Sequence, residues 1–91
     1  MPTKFKYIER IRSLREDSDY TQDYVASCLG TSQTMYARYE RGANELPLRH
    51  LFYLCKLYNV SADYVLGLTS EKKPLYDSKN TDNKPGQKQP D

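Results

Sequence analysis

Residues 21–42 read TQDYVASCLGTSQTMYARYERG, and this stretch decides the fold of the chain. Thr21 and Ser32 are suited to cap the N-terminal ends of two helices, and Gly30 and Gly42 are suited to end them in the left-handed conformation. Only one residue separates Gly30 from Ser32, so a turn of three to four residues joins the two helices. So short a turn makes the helices cross steeply and leaves the second one free to project.

The steep crossing makes demands on the residues of both helices. It requires a small residue where the helices touch, a glycine at the turn and apolar residues on the inner faces. The chain meets these demands at Val25, Ala26, Gly30, Tyr36 and Tyr39, with Tyr36 bulkier than the aliphatic residue expected there. The stretch therefore predicts a helix-turn-helix.

Helical spacing of apolar residues continues on both sides of this pair, and no strand-like alternation persists before Leu68. The sequence predicts five helices, from about Lys4 to Asp17, from Thr21 to Gly30, from Ser32 to about Arg41, from Pro47 to Asn59 and from Ser61 to Gly67. The buried stripe of the fourth helix is predicted to consist of Leu48, Leu51, Phe52, Cys55 and Tyr58, and Leu54 and Leu57 are predicted to widen it. We therefore expect an all-α, compact five-helix domain over residues 1–68.

The composition of the chain changes after Leu68. Residues 69–91 read TSEKKPLYDSKNTDNKPGQKQPD, in which Leu75 and Tyr76 are the only large apolar residues. So polar a segment cannot bury enough surface to offset its ordering entropy. We therefore expect residues 69–91 to be a disordered tail that has nothing to pack and is dispensable for folding.

Composition also excludes several classes of protein. The chain has 91 residues, no apolar run near the ~20 residues of a membrane span and no apolar stretch of a signal peptide at its N-terminus. We therefore expect a cytoplasmic protein with no membrane partner. The single histidine, His50, and the two cysteines, Cys28 and Cys55, form no set of metal ligands, and no nucleophile has a motif around it. We expect no metal, no cofactor and no enzymatic activity, with both cysteines buried and His50 on the surface.

Two longer stretches carry a resemblance to a known family. Residues 10–42, RIRSLREDSDYTQDYVASCLGTSQTMYARYERG, and residues 46–68, LPLRHLFYLCKLYNVSADYVLGL, contain TQ at 21–22, YERG at 39–42 and NVSADYVLG at 59–67. Over about residues 4–68 the chain resembles the XRE/Cro/phage-repressor family of helix-turn-helix proteins. The resemblance implies a lambda-repressor-like, five-helix DNA-binding domain whose third helix lies in the major groove of double-stranded DNA.

The third predicted helix presents one polar face. Residues 33, 34, 37, 38 and 41 share it at helical spacing, and they are Gln, Thr, Ala, Arg and Arg. The resemblance implies that Gln33, Thr34 and Arg38 face base edges. Gln suits adenine and Arg suits guanine, because each can form two hydrogen bonds to one base edge. The formal charge of +2 is too small to indicate nucleic acid by itself, and a solvated face is the alternative for the helix alone.

The same resemblance implies roles for residues away from the base edges. Gln22 would contact a phosphate and brace the third helix, and Ser32 and Arg41 would lie near the sugar-phosphate backbone. Arg15 and Glu40 would form a partly buried ion pair between the first and third helices. The spacing agrees, since Arg15 falls on the apolar face of the first helix and Glu40 on the inner face of the third, where either charge alone would be costly.

The leading hypothesis is a sequence-specific transcriptional repressor that occupies an operator and joins the nucleoid when bound. We expect it to act as a homodimer, because the third helix of a single protomer contacts only a few base pairs. Candidates for the dimer contact are the apolar face of the fourth helix and the end of the fifth, with Leu54, Leu57, Val65 and Leu66. Ordinary core packing is the alternative for these residues, and it is favoured for Leu54. Two alternatives stay open. One is an antitoxin that binds its own promoter and, through the tail, a toxin partner. The other is a protein-interaction module without DNA affinity, for which Glu45 and the low net charge argue.

Overall fold

The computed structural model describes residues 5–75, in which helices are joined by turns and irregular connections and no strand forms. The five helices are α1 (Lys6–Asp17), α2 (Gln22–Leu29), α3 (Gln33–Arg41), α4 (Leu48–Tyr58) and α5 (Ala62–Leu66). Their number and order confirm the predicted all-α fold. α2 packs against α3, α1 against α3 and α5, and α4 against α2 and α5. None of these helices has the length and apolar character that a bilayer crossing requires.

The predicted caps fix the ends of the helices. The hydroxyl oxygens of Thr21, Ser32 and Ser61 accept hydrogen bonds from the backbone N–H three residues further on, at 3.0, 3.1 and 3.1 Å. Gly30 ends α2 with a φ of 73°, in the left-handed region that favours glycine. The turn between α2 and α3 therefore lies between the glycine that ends α2 and the serine that caps α3. These two ends fix the direction of α3 relative to α2.

The core forms where all five helices meet, and Tyr36 of α3 is its largest completely buried side chain. The Tyr36 hydroxyl donates to Oε2 of Glu40 at 2.6 Å, so the polar end of the ring has a partner. Burial raises the pKa of Tyr36, so this hydroxyl keeps its proton. The buried apolar residues are Ile11, Leu14, Val25, Ala26, Leu29, Tyr36, Tyr39, Leu51, Leu54, Cys55, Val60 and Val65.

α4 is rotated relative to the predicted orientation. Leu48 and Phe52, predicted as core, are 78% and 58% exposed. The buried residues of α4 are His50, Leu51, Leu54 and Cys55. Leu51 and Cys55 are buried as predicted, and Leu54, predicted to widen the stripe, is completely buried. The polar His50 completes the buried face, which the spacing of hydrophobic residues could not indicate.

Two predictions about single residues are wrong. His50 was expected on the surface, but it is 3% exposed and packs edge-to-face on Tyr39, with 5.7 Å between the ring centroids. Burial lowers the pKa of His50, so a neutral imidazole fits this apolar site. Cys28 was expected to be buried like Cys55, but it is exposed on α2, where the neighbouring Leu29 faces the core instead.

The first residues after α5 lie against the domain. Arg10 donates to the carbonyl oxygen of Thr69 at 3.2 Å, and the backbone N–H of Leu75 donates to the carbonyl oxygen of Asn59, also at 3.2 Å. Leu75 thereby lines an apolar groove on α4 and α5 together with Leu48, Leu51, Phe52, Cys55, Lys56 and Ala62. The prediction that residues 69–91 have nothing to pack against is therefore wrong for Leu75. The composition of that segment carries no information about the groove on α4 and α5. The rest of the predicted disordered tail, residues 76–91, lies outside the described residues.

Candidate nucleic-acid interface

α3 has one face in the core and one face outward. Tyr36, Tyr39 and Glu40 are buried, as their spacing predicts. The outward side, which we call the reading face, consists of Gln33, Thr34, Ala37, Arg38 and Arg41. Gln33, Thr34 and Arg41 are exposed, and Ala37 and Arg38 are partly buried. Gln33, Thr34 and Arg38, the residues predicted to face base edges, therefore lie on one side of one helix.

Gln33 is held at the start of the reading face by Gln22 of α2. The Gln33 Nε2 donates to Oε1 of Gln22 at 2.7 Å, and the Gln22 Nε2 donates to Oε1 of Glu40 at 3.1 Å. An amide has two N–H donors and a carbonyl acceptor, so Gln33 keeps one N–H and its oxygen for another partner. These are the two groups that an adenine edge requires. Gln22 thus braces Gln33, while the phosphate contact expected of Gln22 stays a prediction.

The structure brings Arg15 and Glu40 together as a two-pronged ion pair. Arg15 Nε lies 2.7 Å from Glu40 Oε2, and Arg15 Nη2 lies 3.1 Å from Glu40 Oε1. Arg15 also donates to the carbonyl oxygen of Tyr20 at 3.0 Å, which ties the α1–α2 connection to the same group. Glu40 is 2% exposed, so a carboxylate here requires these partners.

The pKa values of this pair follow from its contacts. Burial would raise the pKa of the Glu40 carboxyl, but the hydrogen bonds from Arg15, Tyr36 and Gln22 outweigh that effect, and the pKa is lowered. The hydrogen bond to Glu40 raises the pKa of Arg15. Both groups are therefore charged at neutral pH. One carboxylate in this way joins α1, α2 and α3 behind the reading face.

Arg38 is the most restrained charged residue of the reading face. Its Nε donates to Oδ1 of Asn44 at 2.6 Å, across the turn that follows α3. Within residues 5–75 no partner is bonded to its two terminal nitrogens, Nη1 and Nη2. Sequence reasoning missed Asn44. The contact crosses a loop, where no helical spacing could have indicated it.

Besides Gln22, the two residues predicted near the backbone of DNA are Ser32 and Arg41, which lie at opposite ends of α3. Ser32 precedes the helix, and its oxygen accepts the N–H of Met35 at 3.1 Å, which leaves the hydroxyl proton free to turn outward. Arg41 ends the helix and is exposed. The loop beyond it exposes the carboxylate of Glu45, which would repel a phosphate. Positive charge on this side is therefore concentrated at Arg38 and Arg41.

The sequence of this chain is similar to a known protein family and to individual proteins. Residues 11–65 match the model of the family HTH_3, described as helix-turn-helix. The uncharacterized HTH-type transcriptional regulator YobD of Bacillus subtilis (strain 168) is 38% identical over 74 residues, which are 81% of this chain and 66% of YobD. The HTH-type transcriptional regulator ImmR of the same organism is 36% identical over 59 residues, 65% of this chain and 46% of ImmR. The chain thus spans about half to two thirds of the length of the curated relatives it matches.

Solved structures share the same fold. The P22 c2 repressor protein in complex with synthetic operator 9T is similar with a TM-score of 0.62 and 30% identity, covering 70% of this chain and 96% of that one. The N-terminal DNA binding domain of SinR from Bacillus subtilis is similar with a TM-score of 0.59 and 21% identity, covering 66% and 88% of the two chains. The second likeness concerns the fold alone.

Proposed function

Since the chain belongs to the helix-turn-helix family HTH_3, we propose that it is a sequence-specific, double-stranded DNA-binding transcriptional regulator that inserts α3 into the major groove. The observation that carries this proposal is the division of α3. Its inner face is fixed by Glu40 to α1 and α2, while its reading face offers amide, hydroxyl and guanidinium groups without an acid. A rigidly mounted polar face is what base recognition requires.

Within this proposal Gln33 and Arg38 are the principal base readers. They lie five residues apart, which corresponds to about 7.5 Å along a helix at 1.5 Å per residue. Base pairs are spaced about 3.4 Å apart along each strand, so the two side chains address bases about two steps apart. Gln33 has the free donor and acceptor for adenine, and Arg38 has the free terminal nitrogens for guanine. Thr34 lies between them, and Ser32 and Arg41 would contact the flanking backbone.

We further propose that the protein represses by occupying its operator as a homodimer, without catalysis. One α3 covers few base pairs, and dimers of this class read two half-sites about one helical turn apart. Leu54 and Val65 are completely buried and cannot supply the dimer contact, so we assign it to the exposed apolar residues Leu48, Phe52, Leu66 and Leu68. The P22 c2 repressor, solved on a synthetic operator, supports double-stranded DNA as the partner, which implies the cytoplasm and the nucleoid.

The test is selection of the full chain on a random duplex library, followed by fluorescence anisotropy titrations of the selected site. Arg38→Ala is expected to cost about 1–3 kcal/mol and to relax preference at one base position. Arg41→Ala is expected to weaken all sequences alike and to lower the salt slope by about one unit. Arg12→Ala, which removes an exposed arginine of α1, is the matched control and should change neither the base preference nor the salt slope. Absence of salt-sensitive duplex binding would contradict the proposal and favour a protein-interaction module.

A further inference from the structure

Asn44, which lies beyond the end of α3, holds the side chain of Arg38. The 2.6 Å hydrogen bond from Arg38 Nε to Asn44 Oδ1 spans the end of α3. The loop is itself fixed to Arg38, because the N–H groups of Ala43 and Asn44 donate to the Arg38 carbonyl oxygen at 2.9 and 3.3 Å. We propose that Asn44 is a positioning residue for specificity, which aims the terminal nitrogens of Arg38 at one guanine. This inference rests on the proposed function.

The hydrogen bond determines how Arg38 can approach a base. A guanidinium carries five N–H bonds in one plane. It can pair with O6 and N7 of guanine either through Nε and one terminal nitrogen or through both terminal nitrogens. Because Asn44 already accepts from Nε, only the second approach is left. Arg38 therefore meets the base end-on, with its plane oriented by the bond to the Asn44 amide.

Restraint of Arg38 before binding should also strengthen recognition. A free arginine on a helix face loses rotamer freedom when it binds, and fixing one such side chain reduces affinity by about two- to tenfold. Part of that loss has already occurred in the free protein when Arg38 is bonded to Asn44 and partly buried. An asparagine suits the position because it accepts a hydrogen bond without a charge. A lysine there would repel Arg38, and an aspartate would repel the phosphates.

The test compares two substitutions of Asn44 in the full chain on the selected operator and its single-base variants. Asn44→Leu removes the acceptor at similar size, whereas Asn44→Asp keeps an acceptor oxygen and adds a negative charge. We expect Asn44→Leu to relax preference by about two- to tenfold at the base position that Arg38→Ala relaxes. Asn44→Asp should keep that preference and weaken binding to all sequences alike.

A double variant separates positioning from other effects. In the Arg38→Ala background, Asn44→Leu should relax no base position further, because the side chain it positions is gone. Thermal unfolding of each variant checks the fold, and Asn44→Ala replaces Asn44→Leu if the latter does not fold. If Arg38→Ala relaxes one position and Asn44→Leu and Asn44→Ala relax none, the inference falls and the proposed function stands. If no sequence-specific duplex binding is selected at all, the proposed function falls and this inference with it.

Discussion

Removal of Arg15 should show how strongly the buried carboxylate of Glu40 depends on its cation. In Arg15→Ala, Glu40 keeps the hydrogen bonds from Tyr36 and Gln22, at 2.6 and 3.1 Å, but loses the two from the guanidinium. Breaking a buried pair from one side costs about 3 kcal/mol, the lower end of the usual range, because Arg15 retains some exposure. For a domain of this size that is a fall in Tm of about 12–24 °C. Arg12→Ala, an exposed arginine on the same helix, should cost less than about 0.5 kcal/mol.

The loss caused by Arg15→Ala should also depend on pH. In the native protein the pKa of Glu40 is lowered, so its contribution to stability is present above the unfolded value of about 4.5 and is lost as pH falls through the folded value. Without Arg15, burial is opposed by fewer hydrogen bonds, and the pKa of Glu40 must be higher than in the native protein. The variant therefore takes up a proton first, and the stability difference should shrink between about pH 7 and pH 3. Urea unfolding at several pH values measures this, and a loss that stays constant with pH would refute the reasoning.

Three further predictions concern stability. Gly67→Ala should destabilise the protein by about 1–3 kcal/mol more than Gly30→Ala. Both glycines have a positive φ, but of the two only Gly67 lies where an added Cβ would meet another chain segment, 2.5 Å from the Cβ of Lys6. Equal losses of stability in urea unfolding would exclude this clash. The stability of the native protein should fall as pH drops below about 6.5. The pKa of His50 is lowered in the folded state, so the unfolded chain takes up the proton first. His50→Phe should abolish that part of the pH dependence, as measured by thermal unfolding at several pH values. Leu75→Ser should cost about 1 kcal/mol, as expected for a leucine that is 41% exposed in its groove, and an unchanged Tm would mean that the segment after α5 adds nothing to the fold.

Local signals predicted those parts of the fold that depend on neighbouring residues. Thr21 and Ser32 cap their helices as expected because an N-cap bond joins residues only three apart. The outward side of α3 was also predictable, since the inner side had to carry Tyr36 and Tyr39 at fixed spacing. Arg15 and Glu40 could be paired before the structure because each stood on a face where a lone charge would be costly.

Features that depend on a specific three-dimensional neighbour were not predictable. His50 is buried and packs against the ring of Tyr39, a contact that no periodicity in the sequence indicates. The bond from Arg38 to Asn44 crosses a loop, where neither helical nor strand spacing applies. Leu75 finds a groove whose walls come from α4 and α5, far from it in sequence. Polarity and spacing describe a segment by itself, whereas each of these contacts depends on a second one.

The hydrogen bond between Gln33 and Gln22 divides the reading face into positions that differ in how freely they can change target. Thr34 is exposed and lies outside the hydrogen-bonded chain that leads to Glu40, so a new residue there could redirect the protein to another base with little effect on the domain. Gln33 is the outermost member of that chain, and its replacement would also disturb the bracing of α2 on α3. New binding preferences are therefore easier to acquire, by drift or by engineering, at residue 34 than at residue 33.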